Sequence, residues 1–449
     1  MICRQPLKPP DPIDSFLSKI TALFDERHAD LVEPLFLGEL LAHGLRTATA
    51  WFRAGGISDD FRRAYTVLGS LGRSKVPACA AVLFADLRGT IDPGSHWLFA
   101  IDDSPTKRYG PCVEGAGLHH NPTPGPAQQK FVYGHIWVTT AWVVRHPQWH
   151  TLALPLLADL YIRDQDLPKI DPDRRPDFVT KLDLAVTQIH WTAEQLRDSN
   201  RPIWMVVDGF YTKRPVFREA QAEGVILVGR LRWDAALRDL PPQVPQSRRG
   251  RGRPPKYGKR RLSLAKRAGH AQGWEQVTCF QYQEEVTKTV KTFLATWSPA
   301  GGVIRVVIVK EDDGSWRAYC CTDPTASVRD ILEAAAGRTA IEQTFKEVKE
   351  VEGAGEQQLR YWRANEGAYH WCLWGYTVVE WWAWKEPFAQ LCDRTASPWD
   401  RADRRPSHAD RRKALQRRML LEEFWQCWGE GPCPPEIRDV VESLVEMAA

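Results

Sequence analysis

The hydrophobic period of this chain changes from helical to strand-like at Trp97 and then alternates between the two, which calls for a mixed fold. Before that point, residues 12 to about 90 carry apolar side chains at three- and four-residue spacing. Phe16, Ile20, Leu23 and Phe24 are followed by a run from Leu35 to Phe52 that breaks at Gly55-Gly56. From Trp97 onward, WLFAI, KFVYGHIWVTTAWVV and WHTLALPLLADLYI are rich in β-branched and aromatic residues and are bounded by clusters such as HHNPTPGP. They predict three successive strands. Leu182 to Arg197 then has a helical pattern and leads into PIWMVVDGF, and Val216 to Ala222 leads into VILVGRLRW, so helices precede short buried strands. The expected fold class is α/β, a mixed sheet at the centre of the chain with helical regions on either side.

Pro241, Pro242, Pro245, Pro254 and Pro255 interrupt this pattern among Arg and Gly. After them VTCFQYQEEVTKTVKTFLATW and GVIRVVIVKED alternate as antiparallel strands do. The stretch 234–316 therefore reads as a β-rich insertion. The helix and sheet pattern resumes with WRAYCCTD and a long helix from Ser327 to about Val351, and beyond Gly353 the chain is helical and rich in Trp. The expected organisation is an N-terminal helical region (1–92), a core in two parts (93–233 and 317–384) around the insertion, and a C-terminal helical region (385–449). A chain of 449 residues has length for two to four such units, and 43% apolar with 26% charged residues excludes wholesale disorder.

Ten Cys occur without a CxxC pair or a Cys/His cluster at zinc-finger spacing, so structural zinc is not expected. The first residues, MICRQPLKPPDPIDSF, lack the apolar core of a signal peptide, so a reducing, cytoplasmic compartment is expected. The stretches Phe131 to Val144 and Tyr369 to Trp384 are interrupted by His135, His370 and Glu380 and are too short to span a bilayer, so no membrane partner is expected.

Three acidic positions stand out. Asp102 and Asp103 end the strand WLFAI, Asp208 ends the strand IWMVV, and Glu342 lies in the helix that follows the insertion. Carboxylates at the ends of neighbouring strands point into one crevice, where they can share hard divalent cations such as Mg²⁺. Two such ions suit phosphoryl displacement. For any one acid alone, a turn that accepts backbone N–H bonds is the plainer explanation. The helix adds weight to the metal reading. In GRTAIEQTFKEVKEVEG, Arg338, Glu342, Phe345, Lys346 and Lys349 share one face, so a carboxylate stands among three cations suited to phosphates. The alternative is a solvated face with an ordinary Glu342–Lys346 pair.

Residues 248–267, RRGRGRPPKYGKRRLSLAKR, hold ten Lys or Arg and no acid, within a chain of net charge +4. Arg251, Arg253, Lys256, Lys259, Arg260 and Arg261 are the candidate phosphate contacts, and RGRGRPPK resembles a minor-groove AT-hook. Double-stranded DNA is the expected partner. Trp371, Trp374, Tyr376, Trp381, Trp382 and Trp384 fall at helical spacing and suggest core packing. Trp297 and Trp316, at strand ends in the insertion, are the candidates for stacking on an unpaired base. His119 and His120, in a Pro/Gly/Asn loop beyond the first acids, are candidate substrate contacts.

With these residues placed, the chain resembles a known family. Arg338-x3-Glu342-x6-Lys349 is similar to the Y-x2-R-x3-E-x6-K signature of insertion-sequence transposases of the DDE superfamily, the insertion-sequence-four-like group. IDDSPTKRYG and VVDGFYTKR look like the two Asp motifs of that family, in the right order, and HHNPTPGP, GRPPKYG and GEQQLRYW look like further family segments. The resemblance runs from about Trp97 to Trp384. It implies an RNase H-like core with a β-rich insertion between the second Asp and the Glu. It also implies metal-dependent cleavage at transposon ends, joining of the freed 3′-OH to target DNA, often a hairpin intermediate, and a homodimer holding two ends.

Carried across, the resemblance makes one of Asp102 and Asp103, with Asp208 and Glu342, the ligands of two Mg²⁺ ions, for which Mn²⁺ can substitute. Arg338 and Lys349 become contacts to end DNA. The chain departs from the pattern at Ala335, where the signature has Tyr. Asp102 is favoured over Asp103 because Ser104 follows it at the offset usual in the family. Two rivals remain: a DNA-binding derivative that no longer cuts, and a nuclease of the same fold without joining activity. In either case a prokaryotic, nucleoid-associated protein is expected.

Overall fold

A computed structural model describes residues 8–448 except 60, 121–129, 243–254, 282–283, 393, 395–398, 402–403 and 430. Five helices open it: α1 (Ile13–Thr21), α2 (Glu26–Leu41), α3 (Ala48–Ala54), α4 (Phe61–Ser70) and α5 (Val76–Arg88). A π-helical segment, Leu71–Lys75, joins α4 to α5. The combined run Phe61–Arg88 is long and apolar enough to cross a membrane by length and composition. Its apolar residues Ala64, Val67, Leu68, Leu71, Cys79 and Leu83 are nevertheless fully buried in the core of the protein.

The sheet begins with β1 (Trp97–Lys107), β2 (Gly117–His120), β3 (Phe131–His146) and β4 (His150–Tyr161). Then come α6 (Lys181–Gln195), β5 (Ile203–Val207), α7 (Arg214–Ala222) and β6 (Ile226–Leu231). Thr180 starts α6 with a reciprocal capping box to Asp183, which satisfies two backbone donors at the helix start. β1, β3 and β4 pair antiparallel, while β5 lies parallel to β1 and β6 parallel to β5. The resulting order β4-β3-β1-β5-β6 is that of an RNase H-like core. Three of these strands match the three expected, and β2 is a short addition on β3.

The insertion holds β7 (Leu237–Arg238), β8 (Arg261–Leu262), α8 (Leu264–Gly269), β9 (Glu275–Gln281), β10 (Glu284–Trp297) and β11 (Gly302–Lys310). β12 (Trp316–Cys321) follows and pairs with both β11 and β6. The insertion thus prolongs the core sheet instead of forming a separate one, giving twelve strands with β8 at the far edge.

After β12 come α9 (Val328–Gly337) and α10 (Thr339–Glu350). They replace the single helix expected from Ser327 to Val351 and meet at Arg338. Gly337 lies against Leu98 and Val143, and an added Cβ there would approach Val143 to 3.2 Å, so the junction sits tightly on the sheet. Then follow α11 (Trp362–Ala383), α12 (Phe388–Leu391), α13 (His408–Trp428) and α14 (Pro435–Ala448). α11 is buried almost throughout, with Trp371 and Trp374 fully enclosed and Tyr369 stacked on Trp137 at 4.1 Å. Its Trp pattern is core packing, and because Trp137 pairs with Ser104, α11 anchors the same sheet face that carries the Asp102 side chain described next.

Candidate active site

Parallel pairing of β1 with β5 ends at Ile101 opposite Val207, so Asp208, just past β5, stands beside Asp102. The acids of β1 do not end their strand as expected, because β1 runs on to Lys107 paired with β3. Successive side chains of a strand point to opposite faces, so Asp102 and Asp103 diverge. Asp103 is engaged on both oxygens, accepting 2.6 Å from Lys181 Nζ and 3.0 Å from the Tyr211 hydroxyl. Asp208 Oδ1 accepts the backbone N–H groups of Phe210 and Tyr211 at 2.8 and 3.1 Å, a turn that fixes the carboxylate at the strand end. The plain turn role and the crevice role are therefore both present in Asp208.

Arg338, at the α9/α10 junction, donates to Asp102 Oδ2 at 2.5 Å and to Glu342 Oε1 at 2.7 Å. It bridges the first and third acids. Burial pushes the Asp102 carboxyl up to about 7; Arg338 opposes that rise and the neighbouring Asp208 adds to it. Burial disfavours the Arg338 guanidinium, yet Asp102 and Glu342 hold its pKa above the ordinary value. Lys349, one face further along α10, donates to Ser104 Oγ at 3.1 Å, and burial lowers its pKa. Lys346 is exposed and lies 4.0 Å from Glu350.

Among the described residues, no three His, Cys, Asp or Glu side chains stand close enough together to form a ready cation cage. Asp102, Asp208 and Glu342 nonetheless offer only oxygen donors, which is the chemistry Mg²⁺ takes. Burial is the main cause of the raised Asp102 pKa, with the neighbouring Asp208 adding to it against the opposing Arg338. The donor set fits a hard divalent cation, with Arg338 supplying the counter-charge. Asp103 does not join this set, because Lys181 and Tyr211 hold it on the other side of the strand; the inclusion of Asp103 as a ligand is corrected accordingly.

Two cavities adjoin Asp208. One of about 190 Å³ is lined by Asp208, Arg338, Tyr319 and Ala335, so the small side chain at 335 opens space beside the acids. The other, about 650 Å³, is lined by Asp208, Arg230, Trp233, Trp316 and Arg317. Trp316 stands where a stacking side chain is useful, but Trp297 does not. Trp297 is 8% exposed and packs edge-on against Phe217 at 5.3 Å, because its strand parity turns it into the core. Trp233, 70% exposed at the end of β6, escaped the sequence reading; the signal was an aromatic side chain directly after an apolar run.

His119 is buried near Tyr161, and burial with the adjacent Arg163 and Lys181 lowers its pKa to about 4. His120 is exposed beside Phe131. Arg251 and Arg253 lie outside the described residues. Lys256, Lys259, Arg260 and Arg261 are exposed, but β8 is seven strands from β1 in the sheet order, so the structure does not bring them to the acids.

The sheet order and the facing carboxylates define an RNase H-like protein with an acidic crevice at its strand ends. Residues 24–297 match the model of the DDE superfamily endonucleases, more than half of the chain, and the chain belongs to that family. The match ends before Arg338 and Glu342. Among solved structures, the chain is similar to a piggyBac transposase in a cryo-EM synaptic complex with hairpin DNA. Identity is 10% and the TM-score 0.40, over 96% of this chain and 80% of that one. A comparison with curated proteins finds no match.

Proposed function

We propose that this endonuclease-family chain is a DNA transposase of the insertion-sequence-four-like group, cutting at the ends of its element and joining the freed 3′-OH to target DNA. The observation that carries the reading is the placing of Asp102, in β1 where its pairing with β5 stops, beside Asp208 at the end of β5, with Arg338 linking Asp102 to Glu342. Asp102, Asp208 and Glu342 are the residues that would hold Mg²⁺ or Mn²⁺, two ions in the full site. Bound there, the metal lowers the pKa of water and offsets charge on the phosphate oxygens.

The protein's own side chains supply the rest. Arg338 and Lys349 bind backbone phosphates and fix the strand over the crevice, and Asp208 is held ready by its turn. Water attacks phosphorus, the P–O3′ bond breaks, and the element end keeps a 3′-OH while the flank keeps a 5′-phosphate. That hydroxyl then attacks a target phosphate and displaces another 3′-oxygen. No protein nucleophile takes part. Two subunits in a homodimer would hold the two ends, in a bacterial cytoplasm beside the nucleoid.

The test is a labelled duplex carrying the ends of the element, incubated with Mg²⁺ or Mn²⁺ and with EDTA, beside Asp208→Ala and Glu342→Ala. Metal-dependent nicking is expected, falling by at least about a thousandfold in both variants while duplex affinity stays within about twofold. Binding without any cutting would favour the derivative that has lost cleavage. A pre-cut 3′-OH end with target plasmid separates a transposase from a nuclease that cannot join. The cavity beside Asp208 adds a second expected outcome: Trp233→Ala should slow cutting by roughly five- to a hundredfold, the equivalent of losing one base-stacking partner. Single-turnover kinetics on the same duplex measures it, and an unchanged rate would remove Trp233 from the site.

A further inference from the structure

Beyond α10 the chain enters a loop, 353–361, whose conformation is costly and firmly held. Gln358 has φ 54°, the sole non-glycine residue with positive φ among the described residues, and it lies between Gly355 at φ 105° and exposed Arg360. A side chain in that left-handed region costs on the order of 1 kcal/mol and persists only where surroundings impose it. Here they do. Buried Arg108 donates to the Gly355 carbonyl and, at 2.7 Å, to Asn365 Oδ1. Asn365 Nδ2 in turn donates to the carbonyls of Leu359 and Tyr361 at 3.0 and 2.9 Å. Gln357 Nε2 donates to the Gly353 carbonyl at 2.8 Å, and the Glu114 N–H donates to the Arg360 carbonyl at 2.9 Å.

These ties turn Gln357 and Leu359 inward and leave Gln358, Arg360 and Tyr361 facing out. The Tyr361 ring is 47% exposed, with the Arg174 guanidinium 4.7 Å from its centroid and that of Arg360 at 5.8 Å. Among the described residues Arg360 forms no ion pair, whereas the nearby acid Glu114 is already committed to Arg174 at 2.9 Å. The surface is cationic and aromatic and rigid, with no exposed aliphatic side chain at its centre. That combination suits sugar-phosphate: a guanidinium fork meets phosphate oxygens, and the Tyr face meets a sugar or base.

A lower bound on its distance from the acids follows from two elements that run from the crevice to the near edge of the loop. β1 covers the five residues from Asp102 to Lys107 in roughly 17 Å. α10 covers the nine residues from Glu342 to Val351 in roughly 14 Å. At about 3.4 Å per base pair, both spans correspond to four or five base pairs. Lys107 is exposed at that end of β1, and Tyr109, 88% exposed, follows it.

We propose that loop 353–361 grips the backbone of the substrate duplex at or beyond four to five base pairs from the cut, with Arg360 donating to phosphate and Tyr361, backed by Arg174, lying against the sugar. The proposal rests on the endonuclease reading above. The test uses the full chain, with Arg360→Ala and the double variant Arg360→Ala/Tyr361→Ala, and the element-end duplex in EDTA from 50 to 200 mM salt. Affinity is expected to fall five- to thirtyfold, and the slope of log K against log salt to become shallower by about one for the lost cation. A methylphosphonate moved stepwise from the fourth phosphate outward should at one position weaken wild-type binding by a similar factor and the Arg360→Ala variant no further. Thermal melting within a couple of degrees of wild type confirms that the variants fold. If wild type binds and cuts while the variants match it in affinity and slope, this inference alone falls. If wild type shows no binding to the duplex, the endonuclease reading falls with it.

Discussion

Replacing Asp102 by Asn is expected to abolish metal-dependent cutting, by at least about a thousandfold, and in EDTA at pH 8 to raise the melting temperature by a few degrees. The two effects have one cause. Asp102 is mostly enclosed in the sheet, its side chain 14% exposed, and sits next to Asp208, so desolvation pushes its carboxyl from 3.8 to about 7, with Arg338 offsetting only part of the rise. A group whose folded pKa exceeds its unfolded value penalises folding when it ionises. The penalty is absent below about 3.8, grows through the interval and is complete above about 7. At pH 8 without metal it amounts to at most about 4 kcal/mol. Asn keeps the shape and removes the charge, so the stability gain should be largest at pH 8 and vanish by pH 4. Melting curves of both proteins across that range measure it, and an Asn variant less stable than wild type at pH 8 would contradict the geometry. A residue that weakens the apo protein and is kept for a bound cation has the profile of a functional ligand.

The strands that carry the acids were legible because each starts with an apolar run that meets a carboxylate, a pattern local enough to survive without tertiary information, but only β5 stops there, while β1 continues to Lys107 on its pairing with β3. The choice between Asp102 and Asp103 rested on an offset from Ser104. In the structure it follows from the parallel register that sets Ile101 against Val207, which no local pattern reveals. Trp297 and Trp233 show the same limit, since both sit at strand ends and the parity of the pleat decides which is enclosed. The basic run was legible as a charge feature, yet its place on the far edge depends on the order of ten strands along the sheet. The break between α9 and α10 was hidden because Gly337 reads as an ordinary helix residue until the sheet beneath it is known. Loop 353–361 carries no local signal beyond the likeness of GEQQLRYW to a family segment. Its strain at Gln358 comes from Arg108, some 250 residues away in sequence.

The largest stability effect is expected from a cluster that no sequence pattern marked, because its polar members are scattered over three helices and a turn. His408, at the start of α13, lies between Glu352 at 2.5 Å and Glu380 at 2.6 Å, all three fully buried. Arg411 meets Glu380 at 2.8 Å, Arg412 meets Glu352 at 3.1 Å, and Arg412 also donates to the carbonyls of Val351, Glu39 and Leu40. The network joins α2, the turn just after α10, α11 and α13, so α13 secures the helix that bears Glu342. Gly375 is required within it: a Cβ there would stand 2.4 Å from Glu39 Oε2. Burial and the Glu352 charge keep Glu39 protonated, its pKa well above the ordinary value.

Removing one member leaves an uncompensated buried charge, so Glu380→Ala is expected to cost about 3–5 kcal/mol, against nearly nothing for an exposed pair such as Arg418–Glu422. Denaturant unfolding of the two variants checks the contrast. Burial alone would lower His408, but Glu352 and Glu380 hold it at about 9, above its ordinary 6.5. Its contribution is therefore complete below about 6.5 and is lost as pH rises through about 9. Burial alone would raise Glu352, but Arg412 and His408 hold it down at about 2, so acid removes its contribution only below the ordinary 4.5. Between pH 7 and 10 wild type should lose stability that His408→Gln has already lost, and their melting temperatures should converge. Parallel curves over that interval would mean that the imidazole is neutral in the folded protein and that the cluster is held by hydrogen bonds without the charge.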